Sequence, residues 1–331
     1  MNANILKLLD GVSFKDKQEY KNLIVFPLSY INGNKAEYIC LDDALKLHGV
    51  QITEINEGGS VPELYFVNNS DFMILLLDGE ELIGAKQNRI LNRTILVDKQ
   101  TKIKIPVSCV ESGRWRYNSA SFSSSNRISP SYMKMKKMES VSRNLYESRG
   151  MNARSDQHEV WQEVDRISYR AKVSSASNAM SDVFDSKASD IDSYLNSFKV
   201  IEGQNGLIVM INGKIVGMEY ISNNKVFPIL FSKLIRGYAM DALLDIRDVK
   251  TGDALENCRK WISSLSSGNE DCFQSSGLGD DIRISSRDFI ATALSFRDEI
   301  LHFSALNKIE YPDDQREQQY HSRPYIRRNV R

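Results

Sequence analysis

Two neighbouring stretches of the chain carry side chains that could do chemistry on a polar ligand. Residues 78–93 and 105–117 combine carboxylates, guanidinium groups and amides with apolar residues typical of strands. Such donors suit phosphate, carboxylate or ribose oxygens, and an indole can stack on a ligand or shield it. We predict these ligand-binding side chains: Glu80, Glu81, Lys86, Gln87, Asn88, Arg89, Asn92, Glu111, Arg114, Trp115 and Tyr117. A plainer alternative for residues 86–93 is a solvated connection between strands.

Glu111 is the most specific candidate in these stretches. Continuing the strand alternation from Ile103 puts its carboxylate on the apolar face. A buried carboxylate is destabilising unless it is paired, and Arg114 lies three residues away. Three accounts are open: the strand ends at Val110, Glu111 and Arg114 form a structural ion pair, or Glu111 binds a ligand or acts as a catalytic carboxylate.

Composition excludes several function classes. The chain has 43 Lys and Arg against 43 Asp and Glu, so no global field favours a nucleic acid or an anionic membrane. There is no phosphate loop, HExxH, G-x-S-x-G or kinase motif, and the four histidines lack the spacing of a metal site. We therefore predict no metal, no cofactor, no nucleic-acid partner and no membrane partner.

The cysteines and the apolar runs indicate a compartment. Cys40, Cys109, Cys258 and Cys272 are far apart and lie in apolar stretches, which is typical of reduced core thiols. No apolar run approaches the length of a membrane span, and the amino-terminal one is too short for a signal peptide. We predict a cytoplasmic protein.

The elements that must position the polar stretches are mainly strands. Asp78-Gly79 between apolar runs predicts a hairpin that joins a strand at 72–77 to one beginning at Glu80. A second hairpin is predicted between 93–97 and 102–110. Gly84 falls inside a predicted strand, which indicates that something approaches the backbone closely there.

The rest of the chain predicts helices followed by more strands. A serine-rich segment, 118–132, is interpreted as a surface linker, with closure over a ligand as the less favoured alternative. The remaining predictions are helices at 131–148, 156–171 and 228–245, a hairpin turned by Asn212-Gly213, a helix capped by Asp253, and strands at 281–285 and 288–294. The glycine-rich residues 276–281 precede a strand, so a loop is favoured over a phosphate cradle.

These elements predict an α+β fold, with antiparallel β-rich amino- and carboxy-terminal portions and a central helical segment packed on the sheet. We expect one domain at 1–310, made of a β-rich part at 1–117, the serine-rich segment and helices at 118–200, and a mixed part at 201–310. The polar residues 311–331 are predicted to be a disordered tail.

Four segments together resemble a known family. They are DGEELIGAKQNR at 78–89, IPVSCVESGRW at 105–115, the helix start at Val160-Trp161, and KLIRGYAMDAL at 233–243. They resemble the prokaryotic domain family named for its association with ADP-ribosylglycohydrolase and rhodanese-phosphatase genes. The resemblance covers residues 5 to 306.

The resemblance implies a link to ADP-ribose or NAD-derived nucleotides, often in bacterial defence or phage conflict. Arginine and lysine would then meet phosphates, Glu80, Glu81 or Glu111 would meet ribose hydroxyls, and Trp115 or Tyr117 would stack on the base. Without a metal constellation or an activated nucleophile, we favour binding, as a sensor or a sequestering protein. The alternative is a hydrolase with Glu81 or Glu111 as general base. Association into a homo-oligomer is left open.

Overall fold

A computed structural model describes residues 1–31, 36–56, 58–247 and 252–308. The predicted tail at 311–331 lies outside the described residues. The helices are α1 (Ala3–Gly11), α2 (Leu41–Ala44), α3 (Ser131–Glu147), α4 (Gln157–Ala171), α5 (Met180–Ser186), α6 (Ala188–Leu195), α7 (Phe227–Leu244) and α8 (Ala254–Ser264), followed by a 3-10 turn at Leu265–Ser267. The first strands are β1 (Ser13–Phe14), β2 (Gln18–Tyr20), β3 (Leu23–Ser29), β4 (Tyr38–Cys40), β5 (Val50–Glu54), β6 (Glu63–Asn68), β7 (Met73–Leu76), β8 (Glu80–Gly84) and β9 (Arg89–Leu91). The others are β10 (Ile95–Val97), β11 (Thr101–Cys109), β12 (Phe122–Ile128), β13 (Gly206–Ile211), β14 (Lys214–Ile221), β15 (Asn269–Gln274), β16 (Asp280–Ser285), β17 (Phe289–Phe296) and β18 (Glu299–Asn307).

Both predicted polar stretches belong to a closed barrel. Its strands follow the order β11, β6, β5, β12, β8, β9, and β9 pairs back onto β11. Alternation along β11 places Ile105 and Val107 in the buried barrel interior, as the sequence pattern predicts. The strands that carry the two stretches, β8, β9 and β11, are therefore neighbours in one closed sheet.

The second large unit is a nine-stranded antiparallel sheet. Its order is β1, β3, β13, β14, β18, β17, β16, β15, with β2 also paired to β3. Leu207 and Val209 of β13 lie in the same buried core as Leu234 of α7, whereas Ile208 lies in the core on the other face of the sheet, with Leu8 of α1. The predicted α+β class, with helices packed on antiparallel sheets, is confirmed.

Several local predictions are confirmed by the backbone. Asn212 and Gly213 both have positive φ, 50° and 73°, and turn the hairpin of β13 and β14. Asp156 and Asp253 cap α4 and α8 with their carboxylates. Gly84 has φ +124°, and a Cβ there would lie 2.8 Å from the Ser121 carbonyl oxygen, so the predicted close approach is by the chain itself.

The two hairpins predicted in the first third are wrong. Strand β7 pairs with β10 and β4 in a separate three-stranded sheet, whereas β8 pairs with β9 and β12 in the barrel. Gly79 has φ +85°, but the residue before it does not have positive φ, so Asp78-Gly79 changes sheets instead of folding a strand back. The second predicted hairpin is also absent between its two strands, because β10 pairs with β7 and β11 pairs with β6.

Two compositional interpretations are also corrected. The serine-rich segment contains β12, a strand of the barrel, because Phe122 and Ile128 are buried while its serines lie at the surface or in polar contacts. Cys272 is exposed on the edge strand β15, so only the other three cysteines are core thiols.

Candidate functional site

A polar cleft of about 490 Å³ opens where β8, the 84–88 turn, the loop after β11, β12 and α5 meet. Its volume falls in the range of small-molecule sites, about 300–1,000 Å³. The residues that line it are Ile83, Gly84, Asn88, Glu111, Arg114, Asn118, Ser119, Ser123, Arg127, Ser181 and Asp185. Three of the predicted binding residues, Asn88, Glu111 and Arg114, therefore lie together here.

Glu111 and Arg114 form a buried ion pair at the wall of this cleft. Arg114 Nε donates to Glu111 Oε1 at 2.9 Å, and Nη2 donates to Oε2 at 2.6 Å. Arg114 Nη1 also donates to the Ala85 carbonyl at 2.6 Å, which ties the 84–88 turn to the loop after β11. Strand β11 ends at Cys109, so the strand does stop before Glu111, and the Glu111 side chain forms the ion pair of the second account.

The protonation state of Glu111 follows from these contacts. Burial disfavours the charged form, but the hydrogen bonds from Arg114 and from the Asn88 N–H outweigh it and hold the pKa of Glu111 below its ordinary value. Glu111 is therefore an ionised anchor of the wall. A general base would need the same oxygens that Arg114 and Asn88 already occupy.

We expect Glu111→Gln to lower the free energy of unfolding by about 2–3 kcal/mol, because it removes charge-assisted hydrogen bonds and leaves Arg114 without its carboxylate. Arg114 keeps its carbonyl acceptors and a partial exposure of 12%, which limits the loss. Chemical denaturation measures it, and Glu159→Gln is the control because its ion pair with Arg143 is exposed. A variant as stable as the wild type would show that the pair is dispensable.

Glu81 lies behind the cleft and reaches it through Arg127. The Glu81 side chain is fully buried, and Arg127 Nη1 donates to its Oε2 at 3.3 Å. The other nitrogen, Nη2, contacts the exposed Asp185. Glu81 Oε1 has no hydrogen-bond partner within the described residues. Burial raises the pKa of Glu81, with Arg127 acting in the opposite direction, so this carboxyl takes up a proton more readily than usual.

Five predicted residues lie at the neighbouring end of the barrel: Lys86, Gln87 and Arg89 on the 84–89 segment, and Trp115 and Tyr117 on the loop after β11. Arg89 is completely buried, donates from Nη1 to Gln87 Oε1 at 3.0 Å, and has Glu54 Oε1 3.7 Å from Nη2. The Trp115 ring covers Arg89, with 5.7 Å from the guanidinium carbon to the ring centre. Lys86 Nζ is 5.4 Å from the centre of Trp115. It is also 5.0 Å from the ring centre of Tyr117.

Trp115 and Tyr117 give this end of the barrel an exposed aromatic surface. The two residues are 47% and 50% exposed, which is high for large aromatic side chains. Arg89 and Gln87, in contrast, are buried, and the Trp115 ring lies over Arg89.

The structure places Glu80 and Asn92 outside the cleft. Glu80 binds Lys233 of α7 at 2.7 Å and accepts the Leu77 N–H at 2.8 Å. Asn92 accepts from Ser108 at 2.6 Å. Both pairs lie among buried side chains and join elements of the fold.

Sequence reasoning missed several residues of this region. Arg127 and Asp185 were not predicted, because they lie outside the two polar stretches and no sequence pattern relates them to those stretches. Glu54 carried a usable signal, since the alternation of β5 puts it on the same face as the barrel residue Ile52. In the described part of the chain, no group of three or more His, Cys, Asp or Glu is arranged to hold a metal ion. No helix in that part has the length and apolar character needed to cross a membrane.

One protein-family model matches the part of the chain that contains both polar stretches. The family model of the ARG and Rhodanese-Phosphatase-superfamily-associated Protein domain, ARPP-1, matches residues 11–306, which include the whole cleft. The chain belongs to the ARPP-1 family. This confirms the resemblance seen in the sequence. The name of the ARPP-1 family records an association with ADP-ribosylglycohydrolase and rhodanese-phosphatase proteins. No curated protein and no solved structure matches the chain.

Proposed function

We propose that this ARPP-1 protein binds an ADP-ribose- or NAD-derived nucleotide in the 490 Å³ cleft, as a sensor or a sequestering protein in bacterial defence or phage counter-defence. The observation that carries the proposal is the pair of guanidinium groups, Arg114 and Arg127, at the wall of a cleft beside exposed aromatic rings. The association recorded in the family name points to the same ligand class.

The cleft offers a complement for each part of such a ligand. Arg127 can exchange the exposed Asp185 for a phosphate, since the carboxylate is 65% exposed and its attraction is screened by water. Ser119 and Ser123 can donate to or accept from ribose hydroxyls. Trp115 and Tyr117, at the neighbouring barrel end, offer faces on which a base can stack.

The binding test is calorimetry with ADP-ribose and with NAD on wild type and Arg127→Gln. We expect the dissociation constant of the variant to rise about ten-fold or more, because one charge-assisted contact to phosphate is lost. Arg127→Gln should remain folded, since Glu81 can take up a proton when its partner is removed. The control is Arg143→Gln, which changes the charge equally at an exposed pair outside the cleft. If the wild type bound neither ADP-ribose nor NAD, the proposal would be contradicted.

A hydrolase acting on an ADP-ribose-type nucleotide or its conjugate is the second candidate. It is favoured by one observation, the buried Glu81 carboxyl with an unpartnered oxygen and a raised pKa behind Arg127. Product analysis after incubation separates the two functions. For a hydrolase, Glu81→Gln would retain ligand affinity and lose turnover by about two to four orders of magnitude. Intact ligand recovered from wild type would support binding alone.

A further inference from the structure

A second cleft, of about 740 Å³, lies between β11, the loop that joins α3 to α4, and the loop between β15 and β16. It shares no lining residue with the first cleft. The charged residues that line it are Arg93, Lys104, Arg154 and Glu63. Three cations against one carboxylate leave two positive charges in excess, although the whole chain is neutral.

The inner wall of this cleft holds a buried positive charge in excess. Arg93 is 3% exposed, and its Nη1 donates to Asp281 Oδ2 at 3.1 Å. The same carboxylate receives two hydrogen bonds of 2.7 Å from Arg283. Two guanidinium groups therefore share one carboxylate. Burial lowers the pKa of Arg93, the attraction of Asp281 opposes the shift, and the repulsion from Arg283 adds to it.

Arg93 is held rigidly in this position. Its Nη2 donates to Ser276 Oγ at 2.7 Å and to the Gln274 carbonyl at 3.3 Å. Its buried Nε has no hydrogen-bond partner in the described ranges. A buried donor on a cation without a partner among the described side chains is rare in native proteins, which makes Arg93 a candidate to bind an acceptor from outside the chain.

The glycine-rich loop completes the wall. Leu278 donates to the Leu96 carbonyl at 2.8 Å, and only glycine fits at 277, since a Cβ there would clash with that carbonyl oxygen. This contact fixes the loop against β10 and brings the hydroxyls of Ser275 and Ser276 to the cleft. The loop follows no helix, so the donors here are side chains and not a helix end.

The exposed rim adds two more cations. Lys104 lies 3.5 Å from Glu63 in a pair that is about half exposed. Arg154 is exposed and forms no ion pair within the described part of the chain. Both can therefore turn toward an anion in the cleft without leaving a buried partner.

We propose that this second cleft binds a dianionic phosphate group, as inorganic phosphate or as the phosphomonoester of a small molecule. Two positive charges in excess match a dianion, and arginine, lysine and serine hydroxyls are the side chains that phosphate oxygens prefer. A phosphate here also adds negative charge beside the two guanidinium groups that share the Asp281 carboxylate.

The test titrates the full chain with inorganic phosphate and with glucose 6-phosphate at constant ionic strength, so that screening does not change. We expect saturable binding of at least one probe and a raised Tm. Arg154→Gln, on the exposed rim, should raise the dissociation constant about ten-fold. Arg93→Gln should abolish binding, and the Arg154 variant keeps the test valid if this one fails to fold.

Two control variants distinguish binding in the second cleft from a general effect of charge and from binding in the first cleft. Lys199→Gln changes the charge equally at an exposed residue outside the cleft and should bind as wild type does. Arg127→Gln alters the first cleft and should also leave phosphate binding unchanged, so the two sites are distinguishable. Whichever probe binds more tightly, the site is supported, and the preference shows whether its ligand is free phosphate or a phosphomonoester. Binding that is absent at millimolar phosphate, or equal in wild type and Arg154→Gln, overturns the proposal.

Discussion

Replacing Lys137 by Met is expected to lower the free energy of unfolding by about 3–5 kcal/mol, because it leaves a carboxylate buried without a counter-charge. The Lys137 side chain is fully buried, contacts the Asp78 carboxylate, and donates to the Leu91 carbonyl at 2.8 Å. Burial lowers the pKa of Lys137 to about 8, with the attraction of Asp78 opposing the shift, so the ammonium is charged at pH 7. Urea denaturation at pH 7 measures the loss.

Two further variants isolate the charge from the change of side chain. Lys136→Met makes the same substitution one position earlier on α3, where the ammonium contacts the Tyr132 ring, and should change stability by less than about 1 kcal/mol. Adding Asp78→Asn to Lys137→Met should restore part of the loss, because no buried charge then remains. Equal stability of the Lys136 and Lys137 variants would show that the buried pair contributes nothing.

The Lys137 pair also explains why the Asp78-Gly79 signal misled sequence reasoning. A two-residue turn signal reports local backbone preference and contains no information on which strand will be the partner. Here the Asp78 side chain contacts Lys137 of α3, a helix more than fifty residues later in the sequence. The chain that follows the turn enters the barrel as β8. The hairpin of β13 and β14 was predictable because Asn-Gly favours positive φ at both central positions, and Asn212 and Gly213 both adopt it.

The serine-rich strand β12 shows a second limit of predicting structure from the sequence. Strand β12 buries Phe122 and Ile128 but presents Ser123 to the first cleft, so it is a barrel strand whose serine-rich composition resembles that of a linker. Helices such as α4 were predictable because a cap and an apolar stripe are both local. Strand pairing is not local.

The candidate site was predictable in part for the same reason. Glu111 and Arg114 are three residues apart, so the sequence alone predicted their ion pair as one alternative. Arg127 and Asp185 come together only through the packing of α5 on the barrel. Their contact could not be predicted from spacing, and the binding role of all four residues stays a prediction.

A second buried network joins α3 and α7 to the large sheet at Glu219. Lys134 Nζ lies 2.6 Å from Glu219 Oε1, Ser304 donates to the same oxygen at 3.0 Å, and His302 Nε2 is 3.1 Å from Oε2. Tyr238 donates to Oε1 at a longer 3.4 Å. One buried carboxylate on β14 therefore links α3, α7 and β18.

Stability should consequently fall in acid in a way that Glu219→Gln removes. Burial opposes ionisation of Glu219, but Lys134 and His302 outweigh it and lower its pKa to about 2 from 4.5. Between these values the unfolded chain binds the proton and the native state does not, so this contribution is complete above pH 4.5 and is lost as the pH falls toward 2. The shift corresponds to about 3 kcal/mol. Glu219→Gln should be less stable at pH 7 and should lose less stability between pH 5 and 3.

Asp241 provides a comparison of opposite sign within the same core. Burial raises its pKa to about 6 from 3.8, although two hydrogen bonds from Ser131 and the charge of Arg166 act against the shift. Here the native state keeps the proton longer, so its contribution is complete below pH 3.8 and is lost as the pH rises through 6. The test measures the unfolding free energies of wild type, Glu219→Gln and Asp241→Asn from pH 3 to 7. Relative to wild type, Glu219→Gln should gain less stability as the pH rises, and Asp241→Asn should lose less. If both variants kept the wild-type slope, neither carboxyl would be linked to folding, and the ion pairs around Glu219 would act as neutral hydrogen bonds.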